Sequence, residues 1–330
     1  MDSEDTVTVR CTGVAARAVE AEMPAEFWPT IEEQLAGFVA VGPPNSAENA
    51  WSVALSVKTD KTRPTGAHYG DYDDTLIWRE IDGERRVVRL AADASSPYTS
   101  IHVVRNIRTL LRLDVAQYDA SALFLHAGMF AWRGHGVAVV GNKRSGKTST
   151  VLAAAAAGAD FVSNDDLSLH RGPGGLVGQG WPRSVSVRLD TLGPLGLTLP
   201  ADITHPANRH RTDARLLMPQ EISRMTRCRI VPAAPLKAVL FPSFTGDEKC
   251  TLRRLDEEET AERLLANLLT PPVKDDDLSA RFAPPPEEQL ADRVRHLAAV
   301  VPAFSLHQSL TALGLRAELA GVLDRVVTAP

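Results

Sequence analysis

Residues 136–150 read GVAVVGNKRSGKTST, and this stretch decides the fold. Gly141, Gly146, Lys147 and Thr148 satisfy G-x-x-x-x-G-K-[ST], the spacing of a phosphate-cradling P-loop. Its flanks are the ones that chemistry needs. Gly136 to Val140 is a short β-branched apolar run, which predicts a buried strand. The run VLAAAAAG (151–158) predicts a helix that stops at Gly158. A strand, a glycine turn and a helix N-terminus together aim backbone N–H groups and the positive end of the helix dipole at an anion. The motif thus assigns Gly141, Asn142, Lys143, Arg144, Ser145, Gly146, Lys147, Thr148 and Ser149 to a nucleotide, ATP or ADP. Lys147 is expected at the outer phosphates and the Thr148 hydroxyl on Mg²⁺. The alternative, a chance match on an Ala-rich helix, fits less well with a strand directly before the motif.

The rest of the composition narrows the setting. The chain has 330 residues, 44% of them hydrophobic, enough for one large domain or two modest ones. A net charge of -5 and a pI of about 6.0 give no basic field, so no nucleic-acid partner is expected. Cys11, Cys228 and Cys250 are far apart and odd in number, which disfavours a disulfide framework or a zinc site. A reducing, cytoplasmic compartment is expected. The acidic start MDSEDTVTVR does not read as a signal peptide. No apolar run reaches the ~18 residues of a membrane span.

Residues 1–98 read as a separate small α/β region of unassigned role. TVTVR (6–10), WSVALSV (51–57), TLIWREI (75–81) and RRVVRLA (85–91) carry strand patterns, and Asp82-Gly83 is a hairpin signal. EFWPTIEEQLAGF (26–38) is compatible with a helix. His68, Tyr69 and Tyr72 sit in a Gly/Asp-rich turn and read as loop. ADASSPYTS (92–100) is a candidate boundary, so residues 99–330 are expected to form the catalytic domain with C-terminal helices.

Within that domain, Val103, Ile107, Leu110 and Leu111 recur at helical spacing, with Arg105, Arg108 and Arg112 expected on a solvated face. SALFLHAGMFAW (121–132) reads as one strand turning at Arg133–Gly136 into the motif strand. ADFVSNDDLSL (159–169) reads as a strand ending in Asp165 and Asp166, eighteen and nineteen residues beyond Lys147. Carboxylates there suit an ion that bridges nucleotide phosphates; a turn or N-cap is the plainer role. RGPGGLVG (171–178) reads as a loop, SVSVRL (184–189) and PLKAVLF (235–241) as strands. The polar stretch 201–215, with His205, Arg209, His210, Arg211 and Arg215, reads as a loop with equal claims to phosphate closure and to plain solvation. LRRLDEEETAERLLANLLT reads as a helix capped by Asp256 and Glu259, and residues 287–301 as a helix with Leu290, Val294, Leu297 and Val301 on one face.

Three stretches resemble one family. LHAGMFAWRGHGVAVVGNKRSGKTS places His126 fifteen residues before Gly141; FVSNDD ends in an Asp-Asp pair; GWPRSVSVRLDTL (180–192) has a Pro-Arg followed by a strand. Together they resemble the catalytic domain of HPr kinase/phosphorylase and its relatives, including kinase-like proteins of lasso-peptide gene clusters. More distantly they are similar to ATP-dependent phosphoenolpyruvate carboxykinases. The resemblance covers residues from about 100 to about 270. It implies a P-loop kinase core of that α/β type, with Asp165 as base for an acceptor hydroxyl, Asp166 with Thr148 on the metal side, and His126 beside Asp165. The glycine-rich signature that HPr kinases carry after the aspartates is not found, and Lys143 and Arg144 fill positions that are often small or polar. The resemblance therefore extends to the kinase core, not to HPr as acceptor or to reverse phosphorolysis.

The expected function is a Mg-ATP-dependent kinase acting on a hydroxyl of a peptide, a protein or a small metabolite in a biosynthetic pathway, with Asp165, His126 and Lys147 as catalytic residues. The rival is a nucleotide-binding switch with no acceptor, which needs Lys147 and Thr148 but has no use for His126 and Asp165 together. A carboxykinase-like lyase is a more distant third. A homo-oligomer is compatible with the sequence, which leaves the oligomeric state open.

Overall fold

Strand formation at the motif follows from what surrounds it. In the computed structural model, residues 5–13, 18–44, 50–57, 76–92, 96, 98–201, 213–273, 276–282 and 285–329 are described. Among them Val137, Ala138, Val139 and Val140 are wholly buried, so both faces of the motif strand are covered and a continuous β-branched run is the stable choice. Each buried Val or Leu contributes about 1.5–3 kcal/mol.

The chain is mixed α/β and divides into two compact units, one of residues 1–118 and 271–284, the other of residues 119–270 and 285–330. In chain order the first unit holds β1 (Thr6–Thr12), β2 (Ala18–Pro24), α1 (Trp28–Leu35), β3 (Ala40–Gly42), β4 (Trp51–Val57), β5 (Leu76–Asp82), β6 (Val87–Ala92) and α2 (Thr99–Tyr118). Its six strands form one sheet in the order β3-β1-β2-β4-β6-β5, and β5 and β6 are the antiparallel pair expected around Asp82-Gly83. The expected boundary at 98/99 coincides with the start of α2, but this helix belongs to the first unit, which runs to Tyr118: it packs on α1 and on strands β2, β4 and β6. That packing also changes its arginines. Arg112, expected on a solvated face, is 3% exposed, and Arg105 and Arg108 are half-buried. His68, Tyr69 and Tyr72 lie outside the described residues, as do His205, Arg209, His210 and Arg211 of the polar stretch.

The second unit continues with β7 (Leu123–Leu125), β8 (Ala127–Trp132), β9 (His135–Val140), α3 (Lys147–Ala156), β10 (Asp160–Ser163), β11 (Leu167–Gly172), β12 (Gly175–Gly180), β13 (Val185–Arg188), α4 (Leu189–Leu192), β14 (Ala214–Leu217), α5 (Pro219–Thr226), β15 (Ala233–Phe244), β16 (Thr251–Arg254) and α6 (Glu257–Leu265). After α7 (Asp276–Ser279), which belongs to the first unit, come α8 (Glu287–Val300), β17 (Ala303–Gln308), α9 (Leu310–Gly314) and α10 (Arg316–Thr328). Nine strands form the main sheet. β9 lies between antiparallel β8 and parallel β15, and β15 pairs in parallel with β17. Ala138 and Val140 share a core cluster with Leu264 of α6 and Val294 of α8, while α3 packs on β8, β9 and β10. No described helix is long and apolar enough to cross a membrane.

Several local expectations change. The single strand expected over 121–132 is two, because the chain bends at His126 and changes partners: β7 pairs with β11, β8 with β9 and β10. The loop expected at 171–178 is a hairpin, β11 with β12, turning at Pro173-Gly174. Leu252 to Arg254 extend β16 along β17 rather than starting the next helix. That helix begins after Asp256, whose Oδ1 accepts from the Glu259 N–H at 2.8 Å; the Glu259 carboxylate goes to Arg253 at 2.8 Å.

Candidate functional site

The motif turn joins the end of β9 to the start of α3. Gly146 sits at the N-cap with φ 103° and makes no side-chain cap, so no side chain of its own competes for the first amides of α3. A Cβ there would overlap Gln308 Nε2, which together with the left-handed φ makes glycine the residue this position needs. Asn142, Lys143 and Arg144 are exposed, Gly141, Ser145 and Thr148 half-buried, and Lys147 and Ser149 buried. Arg144 is itself left-handed, with φ 71°. The Ser145 N–H donates to the Asn142 carbonyl at 3.1 Å and closes the turn.

Lys147 is 6% exposed. Its Nζ donates to the Gly141 carbonyl at 2.6 Å and to the Asn142 carbonyl at 3.2 Å. Burial lowers its pKa from the ordinary value, and the charge of Asp165 works in the opposite direction. A desolvated ammonium held by neutral carbonyls gains more from an anion than an exposed one does. Behind the turn, Thr150 Oγ1 donates to the Gly146 carbonyl at 2.9 Å and meets Gln308 Oε1 at 2.9 Å, tying the first helical turn to β17.

His126, Asp165 and Asp166, remote in sequence from one another or from the motif, come together here. His126 occupies the bend between β7 and β8, its N–H on the Asn267 carbonyl at 2.9 Å. Asp165 and Asp166 occupy the bend between β10 and β11. The backbone fits closely there: a Cβ on Gly128 of β8 would lie 2.8 Å from the Asn164 carbonyl oxygen. His126 Nε2 is 3.4 Å from Asp165 Oδ1. Asp165 is half-exposed, and Asp166 is 4% exposed. The Asp165 pKa is lowered: burial, the largest influence, pushes it up, but the His126 hydrogen bond and the charges of Arg183, His126 and Lys147 outweigh it.

Arg183 is the site residue that sequence reasoning did not assign. Its Nη1 is 3.1 Å from Asp166 Oδ1 and its Nη2 3.9 Å from Asp165 Oδ2. Adjacent residues on a strand would face opposite sides; at a bend the two carboxylates share one guanidinium. The signal for it was the Trp-Pro-Arg stretch already noted as part of the resemblance.

A buried chain of hydrogen bonds holds that stretch. Trp181 Nε1 donates to Ser168 Oγ at 3.0 Å, Ser168 Oγ meets His170 Nε2 at 2.8 Å, and His170 Nδ1 meets Asp119 Oδ2 at 3.0 Å. An ionised Asp119 can only accept, so Nδ1 of His170 carries a proton toward it, and Trp181 can only donate, so Ser168 Oγ is its acceptor. The order is that of a hydrolytic Ser-His-Asp triad. Ser168, however, is fully buried and already accepts from the indole, so the chain positions rather than attacks.

Chemically, the site offers a buried cation, a helix N-terminus, an ionised carboxylate touching a histidine, and a second carboxylate paired with arginine. No protein-family model and no curated protein matches this chain.

Proposed function

We propose that the chain is a Mg-ATP-dependent kinase that phosphorylates a hydroxyl, with a P-loop core of the HPr kinase/phosphoenolpyruvate carboxykinase-like type. The observation that carries this is the meeting of Lys147, Asp165 and His126. A nucleotide switch needs the lysine and the turn; it does not need a carboxylate kept ionised between a histidine and an arginine.

Phosphoryl transfer depends on positioning and charge neutralisation more than on covalent chemistry. Lys147 and the amides of α3 bind the β- and γ-phosphates. The acceptor hydroxyl gives its proton to the Asp165 carboxylate while its oxygen bonds to the γ-phosphorus, the bond to the bridging oxygen breaks, and the electron pair leaves with ADP. A carboxylate below its ordinary pKa is a weak base, which suits a loose transition state that removes the proton late. His126 orients Asp165 or the acceptor oxygen from 3.4 Å.

Thr148 and Asp166 are the residues to hold Mg²⁺, and their oxygen donors suit a hard cation. Among the described residues no group of three or more His, Cys, Asp or Glu side chains can hold a metal, so the fit is to an ion that arrives with phosphate oxygens. Bound there, Mg²⁺ supplies neutralisation of phosphate charge. Arg183 pairs with Asp166 from 3.1 Å, so an ion held at Asp166 would compete with the guanidinium for that carboxylate.

The test is mass spectrometry of hydroxyl-bearing peptides and small metabolites after incubation with Mg-ATP. Gain of one phosphoryl group on an acceptor is expected. ATP binding with no acceptor modified across both classes favours the switch.

A further inference from the structure

We propose that a cavity between the edge of the main sheet and α8 binds a small apolar molecule carrying one carboxylate. The cavity has a volume of about 460 Å³, inside the range of small-molecule sites. Leu123 of β7, Leu169 of β11, Leu176 of β12 and Leu297 of α8 line it. Leu123, Leu169 and Leu297 belong to the main core cluster and Leu176 packs against it, so the floor is rigid and apolar.

The polar lining is cationic. Arg171 and Arg293 both line the cavity, with His296 beside them. Arg171 makes no ion pair among the described residues. Arg293 Nη2 reaches Gln289 Oε1 at 3.3 Å, whereas its Nη1 is buried and has no hydrogen-bond acceptor among the described residues. A buried guanidinium N–H normally finds an acceptor in protein, water or a ligand, and a bound carboxylate would supply a charge-assisted one here. Asp292 is the acidic residue of the lining, and Arg295 Nη1 already takes its Oδ1 at 2.6 Å. Two arginines above four leucines select an anionic head on an apolar body, and the planar fork of arginine favours a carboxylate.

The site is separate from the nucleotide turn but continuous with it through the sheet. Leu123 pairs with Leu169 and Leu125 with Leu167. His126 follows the first strand and Asp166 precedes the second, so β7 and β11 run from the cavity to the carboxylates. The proposal rests on the cavity alone and stands whether or not the chain is a kinase.

The test is calorimetric titration of the full chain with octanoate, 1-octanol and octylammonium. Octanoate is expected to bind, 1-octanol at least about tenfold more weakly, as for loss of one charge-assisted hydrogen bond, and octylammonium not at all. The double variant Arg171→Gln, Arg293→Gln is expected to bring octanoate to the level of 1-octanol. Leu176→Trp, which fills the cavity, is expected to abolish binding; the arginine variant, whose changes are polar, serves if the tryptophan variant does not fold. Equal affinity for octanoate and 1-octanol, octanoate affinity unchanged in the arginine variant, or no octanoate binding up to its solubility each overturns the proposal.

Discussion

An ion pair of 3.1 Å joins Arg183 Nη1 to Asp166 Oδ1. The carboxylate proposed for the metal is thus already paired with a side chain, and Mg²⁺ would compete with the arginine for it. Arg183→Gln is expected to lower the Mg²⁺ concentration for half-maximal ATP binding by about fivefold, the equivalent of roughly 1 kcal/mol for a partly exposed pair, while turnover falls. Asp166→Asn is expected to raise the Mg²⁺ requirement and to recover part of its turnover at high Mg²⁺. Magnesium titrations that do not move in either variant contradict the competition.

Lys147→Ala is expected to weaken Mg-ATP binding by about 1.5–3 kcal/mol, the worth of a hydrogen bond to a charged group. Calorimetry reads this directly. Full affinity in a folded variant removes nucleotide phosphates from the motif turn.

Much of this site was legible in the sequence because its parts are local. The strand, turn and helix around Gly141–Ser149 each follow from a run of a few residues, and the observed β9 and α3 lie where those runs predict. His126, and Asp165 as the base beside it, are what the family resemblance implies, and the two side chains lie 3.4 Å apart. Arg183 was not named, because its position depends on Trp181 reaching Ser168 across a hairpin that had read as a loop. Gly172 and Gly175 close that hairpin, and a Gly/Pro-rich turn flanked by short strands looks like open loop to any local pattern. The strand break at His126 was hidden for a similar reason: apolar residues run through it, and only the change of partner strands reveals it.

The buried chain from Asp119 to Trp181 yields a stability prediction. Ser168→Ala removes the acceptor of the Trp181 N–H and the hydrogen-bond partner of His170 Nε2, and is expected to cost about 1–3 kcal/mol. The Asp119 pKa is lowered below its ordinary 3.8: burial pushes it up, and the hydrogen bonds from Ser121 and His170 outweigh that. A depressed carboxylate gives stability that is present above its unfolded value and lost as pH falls through its folded value. Acid unfolding of Asp119→Asn should therefore lack an increment that the parent loses below pH 3.8. Identical acid limbs in the two proteins contradict the assignment.

The thiols are expected to be inert. Burial pushes Cys11 up to about 12, and burial with the nearby Glu318 charge pushes Cys250 up to about 11, while Cys228 is also raised, chiefly by burial. Little thiolate exists at pH 8, so a colorimetric thiol reagent should react only after denaturant is added. Rapid reaction of the native chain overturns this.

Asp165 carries the central claim, and one paired measurement tests it: Mg-ATP affinity and phosphoryl transfer in Asp165→Asn beside the parent. Asparagine keeps the size of the side chain and removes the base. ATP affinity is expected to stay within a few-fold while kcat falls by about 10²–10⁴, the range for a lost general base. In the parent, the acid limb of kcat/KM that belongs to Asp165 should lie below its ordinary 3.8, because the free chain holds the group ionised. Unchanged kcat in Asp165→Asn, or loss of ATP binding together with turnover, contradicts Asp165 as the base that receives the acceptor proton.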